Sequence, residues 1–422
     1  MARDFDREKM DAFFSNLEDN NRGMGSISLF YEGEEIYAHS YGYSNLEEGT
    51  RADYHTRYRV GSVSKIYTST LILRLIEEEE LSIQTKLLEF FPQFPSAAEI
   101  TIEMLLRHRS GIFNFTSGED YLNWHRNPHT REELLHRILV HEPDFSPGER
   151  TEYSNSNYVL LSMIAEEVKG KPLGKILNEY ITGRLKLSDT YLYEGAAKRP
   201  GSEARSYTGF PEWTWEEETH LSVPLGAGSI VSRPTEMNIF LTALFSGQII
   251  EENSLDLMMQ IQEGFGLGLI QIPFHNKTAY GHTGGIDGFQ SAAFYFPEEN
   301  LSLAFTGNAI GYSMNEIMIA VLSIFYGMDY ELPEFSDPLV LSEEELRVYE
   351  GEYSSPDFPL DIHIFVENKR LMARATGQPS FPLEAVETDK FKFDQAMLEI
   401  TFEPENDLLI LKQGGGVFRL KR

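Results

Sequence analysis

The chain contains no cysteine. That excludes disulfide bonds, thiolate metal sites and a cysteine nucleophile. It has no apolar run of membrane-spanning length, so no membrane span is expected. Basic residues are scarce: 36 Lys and Arg stand against 66 Asp and Glu, for a net charge of −30. Phosphate binding needs a basic footprint, so nucleic acid and anionic membrane surfaces are excluded as partners. The acidity reads either as ordinary solubility or as adaptation to salt or an aversion to anionic substrates; it is spread along the chain, with a few runs such as Glu77 to Glu80 that read as the solvated end of a helix. His125 and His129 are spaced i, i+4, but Asn127-Pro128 breaks the helix and no H-E-x-x-H pattern is present. Neither a metal nor a cofactor is expected. The stretch Met1 to Met10 lacks the apolar core of a signal peptide. The expectation is a cytoplasmic protein if the sequence is complete, or a periplasmic or extracellular one with its leader removed.

What is present is a globular chain of 422 residues, 41% hydrophobic and 12% aromatic, long enough for two or three domains. Asp4 to Leu17 reads as an amphipathic helix, with Phe5, Met10, Phe13, Phe14 and Leu17 as its apolar set. Gly25–Tyr31 and Glu35–Tyr43 read as a hairpin turning at Gly33. Helical patterns dominate about residues 87–225, at Ile102–His108, Arg131–His141, Asn157–Lys169 and Leu173–Ile181. Strand character returns near Ser229 and continues through Phe265–Ile270, Thr278–His282, Gln290–Phe296 and Leu301–Asn308, with a helix at Ser313–Tyr326. Strands at both ends with helices between them predict an α+β fold, one antiparallel sheet flanked by helices and carrying an all-helical insert. The expected first domain is 1–328. Residues 329–342, acidic and punctuated by Pro333 and Pro338, read as a linker. From 343 to 422 about eight short strands alternate with turns such as Glu367-Asn368 and Gly377-Gln378-Pro379. That is the pattern of a small up-and-down antiparallel β-barrel.

The chemistry centres on Val60-Gly61-Ser62-Val63-Ser64-Lys65-Ile66, a loop entering a helix. Ser62 and Lys65 share one helical face. A serine at a helix N-terminus has free backbone N–H groups beside it, and a desolvated lysine one turn on can take its proton. Tyr153-Ser154-Asn155 follows a turn and precedes a helix; its phenol beside a cation can serve as a base, and its amide can orient the lysine or a substrate carbonyl. Y-x-N also occurs at Tyr43 and Tyr121, but Tyr43 ends a hairpin strand and no turn aims Tyr121. His282-Thr283-Gly284-Gly285 closes a strand, and its glycines let a backbone approach closely.

The order Ser62-x-x-Lys65, Tyr153-x-Asn155, His282-Thr283-Gly284 resembles the serine β-lactamase and penicillin-binding-protein superfamily. The Y-x-N element is similar to the class C branch, which also holds family VIII esterases, DD-peptidases and D-aminopeptidases. The flanks Tyr58 to Lys65, Ile100 to Gly111 and Leu225 to Ser229 agree, over about residues 5 to 326. The C-terminal barrel resembles the lipocalin-like domain of some members, with Tyr349-Glu350-Gly351-Glu352-Tyr353 at its start. The resemblance implies that Ser62 is acylated, that Lys65 and Tyr153 move the proton, and that Asn155 contacts lysine and substrate. It implies an oxyanion hole from the backbone N–H groups of Ser62 and Gly285, with His282, Thr283 and Gly284 lining the substrate side.

The triplet opens with histidine where lysine is usual, and Gly307 to Gly311 supplies no Arg or Lys. A substrate carboxylate would be held less well there. The expected activity is therefore a serine hydrolase on small esters or amides, esterase-like, with weak or absent β-lactamase activity. The alternatives are a peptidase on D-amino-acid-containing peptides and, from another class, a non-catalytic penicillin-binding or scaffold protein. The partner is a small ester, amide or short peptide; the sequence assigns no oligomeric state. Aromatics in the loops Phe113–Trp124 and Tyr207–Trp215 either line an acyl site or pack.

Overall fold

The computed structural model describes residues 5–192, 202–335, 339–378 and 380–422. Asp4 of the expected first helix, Pro338 of the expected linker and Pro379 of an expected turn lie outside them. The described chain divides into two compact units, one built on Gly23–Ile310 and the other on Asp6–Arg22 with Gly311–Arg422.

The first unit carries a six-stranded antiparallel sheet. Its order from edge to edge is Ile270–Phe274, Lys277–Ile286, Phe289–Phe296, Leu301–Ile310, Gly23–Tyr31 and Glu34–Tyr41. The N-terminal hairpin thus joins the late strands by pairing Gly23–Tyr31 with Leu301–Ile310. That pairing closes one sheet around the intervening helical block. Leu301–Ile310 is buried at every position, as befits a central strand covered on both faces. The block holds helices at Ile102–Leu106, Arg131–Leu139, Asn155–Lys169 and Leu173–Leu177, and also two-residue strands at Tyr191–Leu192, Tyr207–Thr208 and Thr214–Trp215. Periodicity does not reveal strands that short.

The helix Ser64–Glu77 is buried almost all round. Ile66, Leu71, Ile72 and Leu75 lie in the main core, and Tyr67 stacks on Phe240 at 3.8 Å between centroids. One expectation fails beside it. Phe265–Ile270 is not a strand; the strand begins only at Ile270. Its glycines have another cause. A Cβ on Gly268 would lie 2.2 Å from Ser69 Oγ and 2.8 Å from Lys65 O, and its φ is +72°. The alternation of large residues with glycine reflects close packing rather than sheet pairing, Gly268 against this helix and Gly266 against Met258 O, 2.3 Å from where its Cβ would lie.

The second unit contains the helices Arg7–Asp19 and Met314–Tyr326 and a closed barrel of eight antiparallel strands from Gly351 to Lys421. Alternate residues such as Ile362, Ile364, Leu371, Phe391, Ile400, Leu409 and Leu420 fill its core. Ser354 pairs with Lys421 to close it, so no edge is left open. Arg22 ties the end of the first helix to the barrel through Glu384 at 3.3 Å and Asp394 at 3.0 Å. No helix among the described residues is long and apolar enough to cross a membrane.

The strand Lys277–Ile286 presses on the turn at Ser62. A Cβ on Gly284 would sit 2.1 Å from Val60 O and 3.0 Å from Ser62 N, whereas one on Gly285 would meet nothing nearer than 4.0 Å. Gly284→Ala is expected to cost about 1–3 kcal/mol by overpacking, and Gly285→Ala less than about 0.5 kcal/mol. Urea unfolding of the two variants checks the difference.

Candidate active site

Ser62 lies in a single 3-10 turn, Gly61–Val63, that feeds the helix Ser64–Glu77. Its hydroxyl is partly open to solvent, while Lys65, one turn on, is wholly buried. Lys65 Nζ has three neighbours: Ser62 Oγ at 3.0 Å, Asn155 Oδ1 at 2.8 Å and Ala227 O at 2.8 Å. Two can only accept, and the third is a hydroxyl. Burial holds the amine well below the ordinary lysine range. Nζ donates to all three, and on losing a proton it can keep its bonds to Asn155 and Ala227 while its lone pair turns to the hydroxyl.

The Asn155 amide is itself oriented. Its Nδ2 donates to Thr116 Oγ1 at 3.1 Å, and that hydroxyl donates to Asn114 Oδ1 at 3.0 Å. Asn114 Oδ1 also accepts the Asn155 backbone N–H at 3.0 Å, satisfying a free donor at the start of the helix Asn155–Lys169. Ala227 O is aimed by the turn Leu225–Ala227, held between Thr68 Oγ1, which donates to Gly226 O, and Ser162 Oγ, which accepts from Gly226 N.

Tyr153 stands just before the same helix, its hydroxyl 2.7 Å from Ser62 Oγ. Burial pushes that phenol up to about 12, with the Ser62 contact acting the other way. It is a neutral donor at ordinary pH. Ser62 can accept from Tyr153 and donate to Lys65 at once, a chain that draws the serine proton toward the amine.

His282 is not at a strand end as expected; the strand runs on to Ile286, so His282, Thr283, Gly284 and Gly285 are all within it. This brings Gly285 beside the serine turn: a Cβ on Gly61 would lie 2.9 Å from Gly285 N. The backbone of Gly285 therefore lies against the turn that carries Ser62. His282 is buried, with its Nδ1 against Thr283 O and its ring 6.3 Å from that of Tyr153. Burial first, and then Lys65, lower its pKa to about 4, so it is uncharged at neutral pH.

A cavity of about 310 Å³ opens over Ser62, lined by Asn155 and Gly285, by Tyr121 and by residues that motif reading did not single out, including Thr116, Glu216 and Asp287. Tyr121, set aside for want of a turn to aim it, is held here by a short helix, Tyr121–Trp124. Phe115 and Trp124 pack in the core instead, and Trp215 is exposed. Phe210 and Trp213 do not line this cavity. His108 also escaped notice. Its Nδ1 accepts the Ser154 N–H at 3.1 Å and its ring lies 4.5 Å from Tyr153. The one signal was its place in the flank Ile100 to Gly111. Among the described residues no cluster of three or more His, Asp or Glu is arranged to hold a metal ion.

With fold and geometry in hand, the chain belongs to the beta-lactamase family, whose family model matches residues 10–316. It is similar along nearly its whole length to penicillin-binding protein 4* of Bacillus subtilis, at 24% identity over 94% of this chain and 93% of that one. Teichoic acid D-alanine hydrolase of Staphylococcus aureus is 26% identical over 58% of each chain. Among solved structures, a D-stereospecific amidohydrolase from Streptomyces sp. superposes with a TM-score of 0.66 at 25% identity, covering 77% of this chain and 100% of its own.

His108→Phe keeps a ring beside Tyr153 but removes the acceptor of a buried N–H. It is expected to lower stability by about 1–3 kcal/mol, read from the shift of the urea midpoint.

Proposed function

We propose that this chain is a serine hydrolase that acts on small esters or amides through an acyl-enzyme on Ser62, with weak or no β-lactamase activity. The observation that carries the reading is the placement of Ser62 Oγ, 2.7 Å from the Tyr153 hydroxyl and 3.0 Å from a water-excluded Lys65 amine. Lys65 takes the Ser62 proton as Oγ attacks the substrate carbonyl. The resulting oxyanion sits between the N–H groups of Ser62 and Gly285. As the intermediate collapses, Tyr153 gives its proton to the leaving alcohol or amine. The phenolate so formed is stabilised by the Lys65 ammonium, whose nitrogen lies 4.8 Å from the ring centroid. Water then attacks the ester, Tyr153 recovers its proton from that water, and Lys65 returns one to Ser62. Protons balance over the cycle.

Substrate preference follows from charge. His282 is neutral where a lysine would hold a carboxylate. Asn308, two strands away near the end of Leu301–Ile310, is buried and donates to Tyr43 O and Arg205 O. Penicillins, which carry a free carboxylate, have no fixed cation to meet at that end. The relatives named for D-alanine hydrolysis and D-stereospecific amide hydrolysis support a second reading within the same chemistry, action on D-aminoacyl esters and amides. The complete set of Ser62, Lys65, Tyr153 and Asn155 speaks against a purely binding role.

A fluorophosphonate is expected to add one adduct mass to wild type and none to Ser62→Ala, as read by intact-protein mass spectrometry. Labelling of both would remove Ser62 from its role. Short nitrophenyl esters should be turned over at least about tenfold more efficiently than nitrocefin, the effect of about one charge-assisted contact. The acid limb of kcat/KM should report Lys65. Its depressed pKa means the base form persists below the ordinary lysine range, and activity falls as pH drops through that value. Equal rates from acid to alkaline pH would contradict it.

A further inference from the structure

The phenol of Tyr153 has little to fix it at its tip. Among the described residues its hydroxyl has one hydrogen-bond partner, Ser62 Oγ at 2.7 Å. That partner is the attacking atom on the hydrolase reading, so the ring must be aimed from its base. Tyr153 lies in an irregular stretch, 151–154, ahead of the helix Asn155–Lys169. One residue holds that stretch on both sides of the tyrosine. The His108 carbonyl accepts the Glu152 N–H at 2.9 Å, and His108 Nδ1 accepts the Ser154 N–H at 3.1 Å. The imidazole also lies against the phenol, 4.5 Å between centroids, nearer than Phe265 at 6.0 Å or His282 at 6.3 Å.

His108 is itself held in a costly conformation. It stands just past the helix Ile102–Leu106 with φ +58°, where glycine is the usual residue and a Cβ is disfavoured. Its ring is buried, and burial above all holds its pKa well below the ordinary histidine range. A neutral ring whose Nδ1 faces an N–H carries its proton on Nε2. Asn157 suits that state: its Oδ1 accepts from Ser110 Oγ at 2.6 Å, which turns its Nδ2 toward the same Nδ1, at 3.5 Å. Ending a helix does not call for an imidazole, whereas gripping both neighbours of Tyr153 calls for a side-chain acceptor at this place. We propose that His108 is a positioning residue: by holding Glu152 and Ser154 it keeps the Tyr153 phenol in line to protonate the leaving group. The inference rests on the hydrolase reading of Ser62. In acylation Ser62 Oγ bonds to the carbonyl carbon and Lys65 takes the serine proton. The bond to the leaving oxygen then breaks as that oxygen takes the Tyr153 proton. An alkoxide needs the proton, but a nitrophenolate is a stable anion and leaves without it. Misaiming Tyr153 therefore slows the loss of an alcohol more than the loss of nitrophenol.

The test uses two esters with one acyl group, ethyl butyrate and p-nitrophenyl butyrate. Their kcat/KM values read acylation, since both pass through the same acyl-enzyme. His108→Gly accepts the left-handed backbone but removes ring and acceptor, and His108→Phe keeps a ring without an acceptor. His108→Asn places an amide oxygen where Nδ1 was and tolerates the same backbone. The ethyl-to-nitrophenyl ratio is expected to fall at least about tenfold in His108→Gly and His108→Phe, and to stay within about threefold of wild type in His108→Asn. A merely structural role would slow both esters alike and leave the ratio unmoved. Tyr153→Phe, which has no proton to give, should lower the ratio at least as far. The urea midpoint of each variant reports that it is folded under assay conditions; whichever of His108→Gly and His108→Phe folds is set against His108→Asn. A ratio unmoved in that folded variant, or lowered as far in His108→Asn, overturns the inference and leaves the hydrolase reading intact. So does a wild-type ratio in Tyr153→Phe, or a wild type that takes the nitrophenyl ester but not the ethyl ester. Absence of fluorophosphonate labelling in wild type overturns the hydrolase reading, and the inference with it.

Discussion

A lysine amine sealed from water, with no carboxylate among its hydrogen-bond partners, is the constraint around which the catalytic unit is arranged. A charged ammonium in that position would bear a large desolvation cost that a carbonyl, an amide oxygen and a hydroxyl offset poorly. A neutral amine would bear little of it, and each polar contact of the nitrogen is satisfied. Every neighbouring element helps to keep it so. The helix Asn155–Lys169 presents the amide, the turn Leu225–Ala227 presents the carbonyl, and Gly268 packs against the backbone of Lys65 itself. The core that excludes water from the lysine also holds its pKa well below the ordinary range, as the proposed base role requires.

The same unit separates reaction from recognition. Lys65 belongs to a buried helix, and Ser62 and Tyr153 stand immediately before the helices Ser64–Glu77 and Asn155–Lys169. The cavity wall comes largely from connecting segments, around Thr116 to Arg126 and Glu216 to Thr219, together with Asp287 after the strand. Segments of this kind change without disturbing a core. On the proposed reading, the reacting groups are fixed by packing, whereas the charge of the cavity wall comes from the connecting segments.

Legibility in the sequence follows this division. The barrel could be read strand by strand because each strand alternates cleanly and is bounded by turn residues, as Arg370–Ala375 and Leu408–Gln413 illustrate. The pairing of the N-terminal hairpin with Leu301–Ile310 was legible as strands at both ends of one segment. Ser62, Lys65, Tyr153 and His282 were found because their spacing is distinctive, and the structure brings these side chains together. Phe265–Ile270 misled because a glycine demanded by a neighbouring helix looks, in one dimension, like a glycine in a strand. His108, Ala227, Glu216 and Asp287 carry no spacing signal. Ala227 acts through its carbonyl, which no side chain advertises, and the carboxylates are two among 66 acidic residues. Their significance lies in where the chain carries them, which only the folded topology determines.

The bare contact between Gly284 and the serine turn has a further consequence. Nothing with a torsion angle stands between the strand and the backbone amide of Ser62. Elsewhere in a protein two such elements are spaced by side chains, each free to hop among rotamers and blur the distance between them. Here the spacing is fixed by main-chain atoms in van der Waals contact. The turn that carries Ser62 therefore inherits the stiffness of a β-sheet rather than the looseness of a packed side-chain layer.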